Sequence, residues 1–332
     1  MKEGVYMIFD CHSDTFTHIT LKREKNENNI FKNYHLNNFK KGNVCGSIFV
    51  IWIDPPYDNN PYLRAKEIIS ALKDEINESK DIINVVKSYK DVGKGFLKSK
   101  VDIVIGMEGL SHIGNDIDKI NYYHDEVHVR HASLTWNEEN ELATGVCGDD
   151  NRGLTLAGKN AVKRLEDLNM LVDVSHLNEK SFWDLVNMAS KPVIASHSNA
   201  KSLCEVKRNL SDEQLKTIAK SGGVVGLNGF SGFVSHNKDK QNLQGFVDHI
   251  DYMADLIGID HICLGFDYCD YLESNTLSSF SEDVNNPNVK NLQSASHSNN
   301  VTRELRKRGY LEDEIDKITH RNIFRVMEDV LR

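Results

Sequence analysis

Eight short apolar runs, most of them separated by helical segments, constrain this chain more than any other feature. They cover residues 5–9, 44–53, 101–107, 127–134, 170–175, 193–196, 224–227 and 262–266. Short, nearly continuous apolar runs suit strands buried on both faces, as in a parallel sheet. Their alternation with helical patterns argues for an α/β fold with a parallel sheet. With eight strands, closure into a (β/α)8 barrel is the simplest solution. The chain has 332 residues, and such a barrel takes roughly 250, more with insertions. No internal repeat or linker divides it, so one barrel domain over 1–332 is expected.

The segments between the runs carry helix signals. Apolar residues at Ile68, Ile69, Leu72 and Ile76, then Ile82, Ile83 and Val86, predict one or two helices within 61–92 after the Pro55-Pro56 stop. Leu156, Val162, Leu165 and Leu168 predict a helix over 155–168. Asn178 reads as an N-cap, and Ser211 with Gln214 as a capping box. Residues 243–257 read as one long amphipathic helix and 301–331 as two. Residues 17–43 are polar and basic and read as an insertion or hairpin. Residues 271–300, rich in Ser, Asn and Asp, read as a mobile loop or as a lid.

Five of the runs end in residues that can bind metal. The first leads into His12 and Asp14, the third into Glu108, the fifth into His176, the sixth into His197 and the eighth into Asp267. On a strand, residues i and i+2 share a face, so His12 and Asp14 can reach one ion. Ionisable groups at the ends of buried strands are costly unless paired or metal-bound. Taken singly, each has a plainer reading: His197 bonding its neighbours, Glu108 in a turn, Asp267 capping the next segment. Five such coincidences are harder to accept than one shared site at the barrel mouth, where barrel active sites sit.

Three imidazoles and two carboxylates exceed what one tetrahedral zinc needs. A natural partition gives His12 and Asp14 to one ion, His176 and His197 to a second, and Glu108 to both. Two ions roughly 3.5–4 Å apart can share a hydroxide and polarise a carbonyl. Asp267 is left as a proton acceptor and later donor. Arg208, after the sixth run, reads either as a surface salt bridge or as a clamp on a carboxylate or an oxyanion.

Composition narrows the partners. The formal net charge of −9 argues against nucleic acid, which needs a basic face. No run approaches the ~20 apolar residues that span a bilayer, so no membrane partner is expected. The six cysteines (Cys11, Cys45, Cys147, Cys204, Cys263, Cys269) form no C-x-x-C pair and read as reduced thiols. The run at 5–9 is too short for a signal-peptide core. A cytoplasmic location is the expectation.

In order along nearly the whole chain stand His12-Ser13-Asp14, Gly106-Met107-Glu108-Gly109, Ser133-Leu134-Thr135 and Asp173-Val174-Ser175-His176. Ser196-His197-Ser198-Asn199-Ala200, Arg208-Asn209-Leu210-Ser211 and Gly265-Phe266-Asp267 follow. With these motifs the chain resembles the membrane (renal) dipeptidases, the M19 peptidases of the amidohydrolase superfamily. The resemblance implies a (β/α)8 barrel holding two zinc ions, one on His12, Asp14 and Glu108, the other on Glu108, His176 and His197. It implies that Asp267 works on the bridging water, that Arg208 contacts substrate, and that the protein is a homodimer. It also implies cleavage of dipeptides, often with a D-residue at the C-terminal position, by a metal-bridged hydroxide. One departure stands out. The family places a histidine after Leu-Thr to help hold the developing oxyanion, and here that position is Trp136. An indole N–H donates but cannot titrate, and Asn137 or Arg208 would have to compensate.

Two other functions fit the same residues. One is hydrolysis of another small amide or lactam on the same metal pair, since fold does not fix substrate. The other is a metal-stabilised peptide-binding protein without turnover.

Overall fold

The computed structural model describes residues 6–55, 57–281, 284 and 287–332. Val5 and Pro56, each given a place at a strand boundary above, lie outside the described residues, as do positions 282, 283, 285 and 286 of the 271–300 segment.

Among the described residues nine strands form: β1 Ile8–Ser13, β2 Val44–Trp52, β3 Ile83–Val85, β4 Val101–Glu108, β5 Val129–Ser133, β6 Leu171–Asp173, β7 Val193–Ala195, β8 Val224–Leu227 and β9 Ile262–Leu264. Eight of them run in the order β2-β1-β9-β8-β7-β6-β5-β4, and β2 pairs with β4 from Gly46↔Asp102 to Trp52↔Glu108. That parallel pairing closes the sheet into a (β/α)8 barrel. The ninth strand, β3, pairs with β4 from outside the ring. The barrel strands are short and almost wholly buried because both faces are covered, as their near-continuous apolar character requires.

The helices lie where the apolar periodicity places them, with the predicted caps. Asn178 accepts from Ser181 N at 2.8 Å to open the helix Glu179–Val186. Ser211 and Gln214 bond reciprocally at 3.3 and 2.9 Å before the helix Asp212–Lys220. The long helix runs Leu243–Ile257.

Three expectations need correction. Ile82, Ile83 and Val86 belong to the β3 region and not to a helix: the preceding helix ends at Glu78, and so few apolar residues carry no period. Residues 17–43 form no hairpin. They hold the helix Thr15–Glu24 and the shorter Leu36–Lys41. The polar composition hid this because the helix buries Phe16, Ile19 and Leu21, while the Glu75 carboxylate takes up the Ile30 and Phe31 amides at 3.1 and 2.8 Å. The C-terminal region has three helices, Asn299–Lys307, Glu312–Asp316 and Asn322–Val330. The last of these sends Ile323, Val326, Met327 and Val330 into the apolar cluster that also holds Phe9, Ile48, Val104, Leu171, Ile194 and Val224 from six strands. No helix among the described residues is long and apolar enough to cross a membrane.

Candidate metal centre

The strand ends bring the sequence-predicted ligands to one place. His12 is the penultimate residue of β1 and Glu108 the last of β4; Asp14, His176, His197 and Asp267 lie one to three residues past β1, β6, β7 and β9. Asp14 therefore sits beyond its strand, at the N-cap of the helix Thr15–Glu24, and not on the strand face with His12. Register irregularities in β1 between Asp10 and Ser13 and in β4 before Gly106 lie next to the site, where such features redirect side chains. Two glycines make room. Gly109 has φ +77°, and a Cβ there would stand 2.9 Å from Trp136 N. A Cβ on Gly265 would stand 1.8 Å from Ser196 O, beside His197.

Glu108 is at the centre. Its Oε1 lies 2.9 Å from His176 Nε2, 3.4 Å from His197 Nε2 and 3.6 Å from His12 Nε2. His12 Nε2 is also 3.7 Å from Asp14 Oδ2 and 3.9 Å from Asp267 Oδ1. Two sets of possible ligand atoms each lie within 4.8 Å of one another: His12, Glu108 and His197, and His12, Asp14 and Asp267. The Nε2 atoms of His176 and His197 are 2.8 Å apart.

The hydrogen bonds behind the imidazoles fix which nitrogen points inward. Asn137 Oδ1 lies 2.8 Å from His176 Nδ1 and can only accept, so Nδ1 carries the proton and Nε2 keeps its lone pair. For His197 the argument runs through a hydroxyl. Ser196 Oγ lies 2.5 Å from Asp173 Oδ2 and 2.7 Å from His197 Nδ1. It has one proton, which goes to the carboxylate, so it accepts from His197 Nδ1–H. Burial would raise the Asp173 carboxyl, but His131 at 2.9 Å, Ser196 and the Ser175 amide hold it below the usual carboxylate range. His131 is buried in this relay.

Charge decides what the cluster can hold. Asp14, Glu108 and Asp267 are three crowded carboxylates, and burial pushes Glu108 and Asp267 upward. Burial keeps His176 and His197 neutral. It would do the same to His12, but Glu108, Asp14 and Asp267 outweigh it and push that imidazole up to about 10. Buried His12 Nδ1 and Asp14 Oδ1 have no hydrogen-bond partner among the described residues. Such a set of oxygen and imidazole donors, with inward lone pairs and excess negative charge, fits divalent metal.

Arg208 is not a surface salt bridge. It is 7% exposed, donates to His197 O at 3.0 Å, lies over the Phe233 ring at 5.5 Å, and its Nε has no partner among the described residues. With Trp136 and Asn137 it lines a cleft of about 280 Å³ above the cluster. Asn137 is thus as much a support for His176 as a wall of the cleft. The sequence reading missed Asn228, whose Nδ2 donates to Asp267 Oδ2 at 3.0 Å, and also Ser196 and Asp173. All three could have been found, because Asn228 directly follows a strand and the other two stand inside the quoted motifs. Trp52, Phe230, Phe233 and Phe280 also line the cleft, and nothing in their local sequence marks them. In the 271–300 segment, Leu277, Val289 and Leu292 are buried, and Asn288 bonds the Asp267 carbonyl at 3.0 Å, so this stretch packs against the site.

The membrane dipeptidase family (Peptidase family M19) profile matches residues 5–332. The chain belongs to that family. It is a metal-dependent dipeptidase by that membership. Its relatives include "Dipeptidase aclJ" of Aspergillus oryzae, 31% identical over 260 residues, with 77% of this chain and 58% of the relative covered. The chain thus spans little more than half of that relative's length. An uncharacterised Klebsiella pneumoniae protein encoded in the pqqA 5' region is 38% identical over 212 residues, covering 61% of this chain and 72% of its own. Among solved structures, a Rhodobacter sphaeroides metallopeptidase liganded with a phosphinate mimic of L-Ala-D-Ala superposes with a TM-score of 0.85. Its sequence identity is 22%, over 98% of this chain and 99% of that one. That likeness shows the fold shared across the family.

Proposed function

We propose that this M19 dipeptidase cleaves dipeptides on two zinc ions held by His12, Asp14, Glu108, His176 and His197. The observation that carries the proposal is the convergence of these five side chains, with the Nε2 lone pairs of His176 and His197 inward, beneath one cleft. When bound, the ions polarise the peptide carbonyl and acidify the attacking water.

The chain's own groups supply the rest. Asp267, oriented by Asn228 and 17% exposed, takes the proton of the attacking water and returns it to the nitrogen of the leaving amine as the C–N bond breaks. Arg208 is buried beside the cluster, has no carboxylate partner among the described residues, and its guanidinium holds the free carboxylate of the substrate's C-terminal residue. A cleft open to either configuration at that residue would accept L-Ala-D-Ala as well as L-Ala-L-Ala. A homodimer in the cytoplasm completes the reading. The test is release of alanine from both dipeptides by purified protein with and without added zinc. Zinc-dependent release is expected. A zinc-loaded protein that cleaves neither would overturn the reading.

A further inference from the structure

The cleft above the metal cluster has an unequal lining. On one side stand Arg208, Phe230 and Phe233, from the segments after β7 and β8, with Phe230 also 6.4 Å from Phe280 between ring centres. Trp52 ends β2 and Trp136 follows β5, and these strands flank β4, which stands opposite β8 in the closed order. The two indoles lie 5.3 Å apart between ring centres. Phe280 joins them at 6.0 Å from Trp52 and 6.3 Å from Trp136, edge-on to both. Three mutually packed rings make one apolar wall, and Trp136 continues it to 6.2 Å from His176.

Among the described residues that wall carries no charge. Among the described residues, apart from the cluster itself and Arg208, the only charged residue lining the cleft is Lys207, which is exposed and pairs with Asp150 at 2.9 Å. A charged substrate side chain pressed against the rings would lose water and gain no partner. A large apolar or aromatic side chain would instead bury area and stack edge-to-face.

Resting on the dipeptidase reading above, we propose that the Trp52–Trp136–Phe280 wall is the specificity pocket for the N-terminal residue of the dipeptide. It selects large apolar and aromatic side chains. The assignment to the N-terminal residue follows from the ends of the substrate. With the carboxylate on Arg208 and the scissile carbonyl over Glu108, the N-terminal residue extends toward β2 and β5. Trp136 thereby acts as a specificity residue in the place where relatives are expected to carry a titratable histidine.

The experiment compares kcat/KM of the zinc-loaded enzyme on Phe-Ala, Leu-Ala, Ala-Ala, Asp-Ala, Lys-Ala and Ala-Phe. Phe-Ala and Leu-Ala should exceed Ala-Ala by about tenfold or more and the charged pair by more still, in line with what pocket burial supplies. Trp136→Ala should cut the Phe-Ala to Ala-Ala ratio severalfold, with metal content measured on the same samples. Trp136→Phe should keep most of the ratio, which a fold defect would not do. Equal rates on Phe-Ala and Ala-Ala, or a preference carried by Ala-Phe alone, would overturn the proposal while leaving the dipeptidase reading intact. Cleavage of none of the six would overturn both.

Discussion

Asp267 and His176 sit in backbone conformations that L-residues rarely adopt, at φ +55° and +71°. Each such residue costs about 1–2 kcal/mol relative to ordinary helical or extended backbone, and strain of this kind concentrates at functional sites. Here it turns two side chains from the strand direction into the shared cluster. Asp267→Asn should retain its metals and lower kcat by about 10²–10⁴-fold; full activity in a metal-loaded variant would remove the carboxylate from proton transfer. Ser196 makes a separate prediction. It passes the His197 Nδ1–H bond on to Asp173, so Ser196→Ala should weaken metal affinity by about 10–100-fold, as loss of a ligand's outer partner does. Ser196→Thr should restore most of it. Equal affinity in a chelator competition for all three proteins would show that the relay does not orient His197.

At the scale of elements, the buried joint between the helix Thr15–Glu24 and the turn that follows it is set by histidines. His18 Nδ1 and His35 Nε2 are 2.9 Å apart, a bond that needs at least one neutral ring. Burial, reinforced for His18 by Lys22 and for His35 by His18, pushes them down to about 4 and about 3. Both lie below the ordinary histidine value, so the unfolded chain binds protons that the folded one excludes. Their contribution to stability is present in full above about pH 6.5 and falls as the pH drops toward 4, by about 1.4 kcal/mol per pH unit for each ring. Denaturant midpoints taken between pH 7.5 and 4.5 should fall with acid, and His35→Gln should flatten the slope by one ring's share. An unchanged slope in that variant would mean the pair is not the acid-sensitive joint. This region is also where sequence reading was weakest. Helix Thr15–Glu24 buries seven residues, but four of them are Thr or His, so no apolar stripe announced it. β3 escaped for the opposite reason, since three residues cannot show a period of two.

At the scale of the whole molecule, the barrel was legible because its strands are buried on both faces and therefore apolar throughout, a signal that survives without an alignment. The candidate metal cluster was legible because closure brings strand ends together, so six ligand-type residues spread from position 12 to position 267 could be assigned to one mouth. The cleft wall was not legible. Trp52, Phe230 and Phe280 become neighbours only through the curvature of the ring and the path of the segment after Asp267, and an aromatic residue in sequence looks the same whether it fills a core or lines a cleft. Asn137 was visible, but its bond to His176 was not. The account's central claim is that the six-residue cluster works as a two-metal hydrolytic centre. The most direct measurement is dipeptide hydrolysis by chelator-stripped protein as zinc is titrated back, with bound metal counted at each point. The account predicts no turnover without metal and a plateau at two ions per chain. Full activity in the stripped protein, or a plateau at one ion, would contradict it.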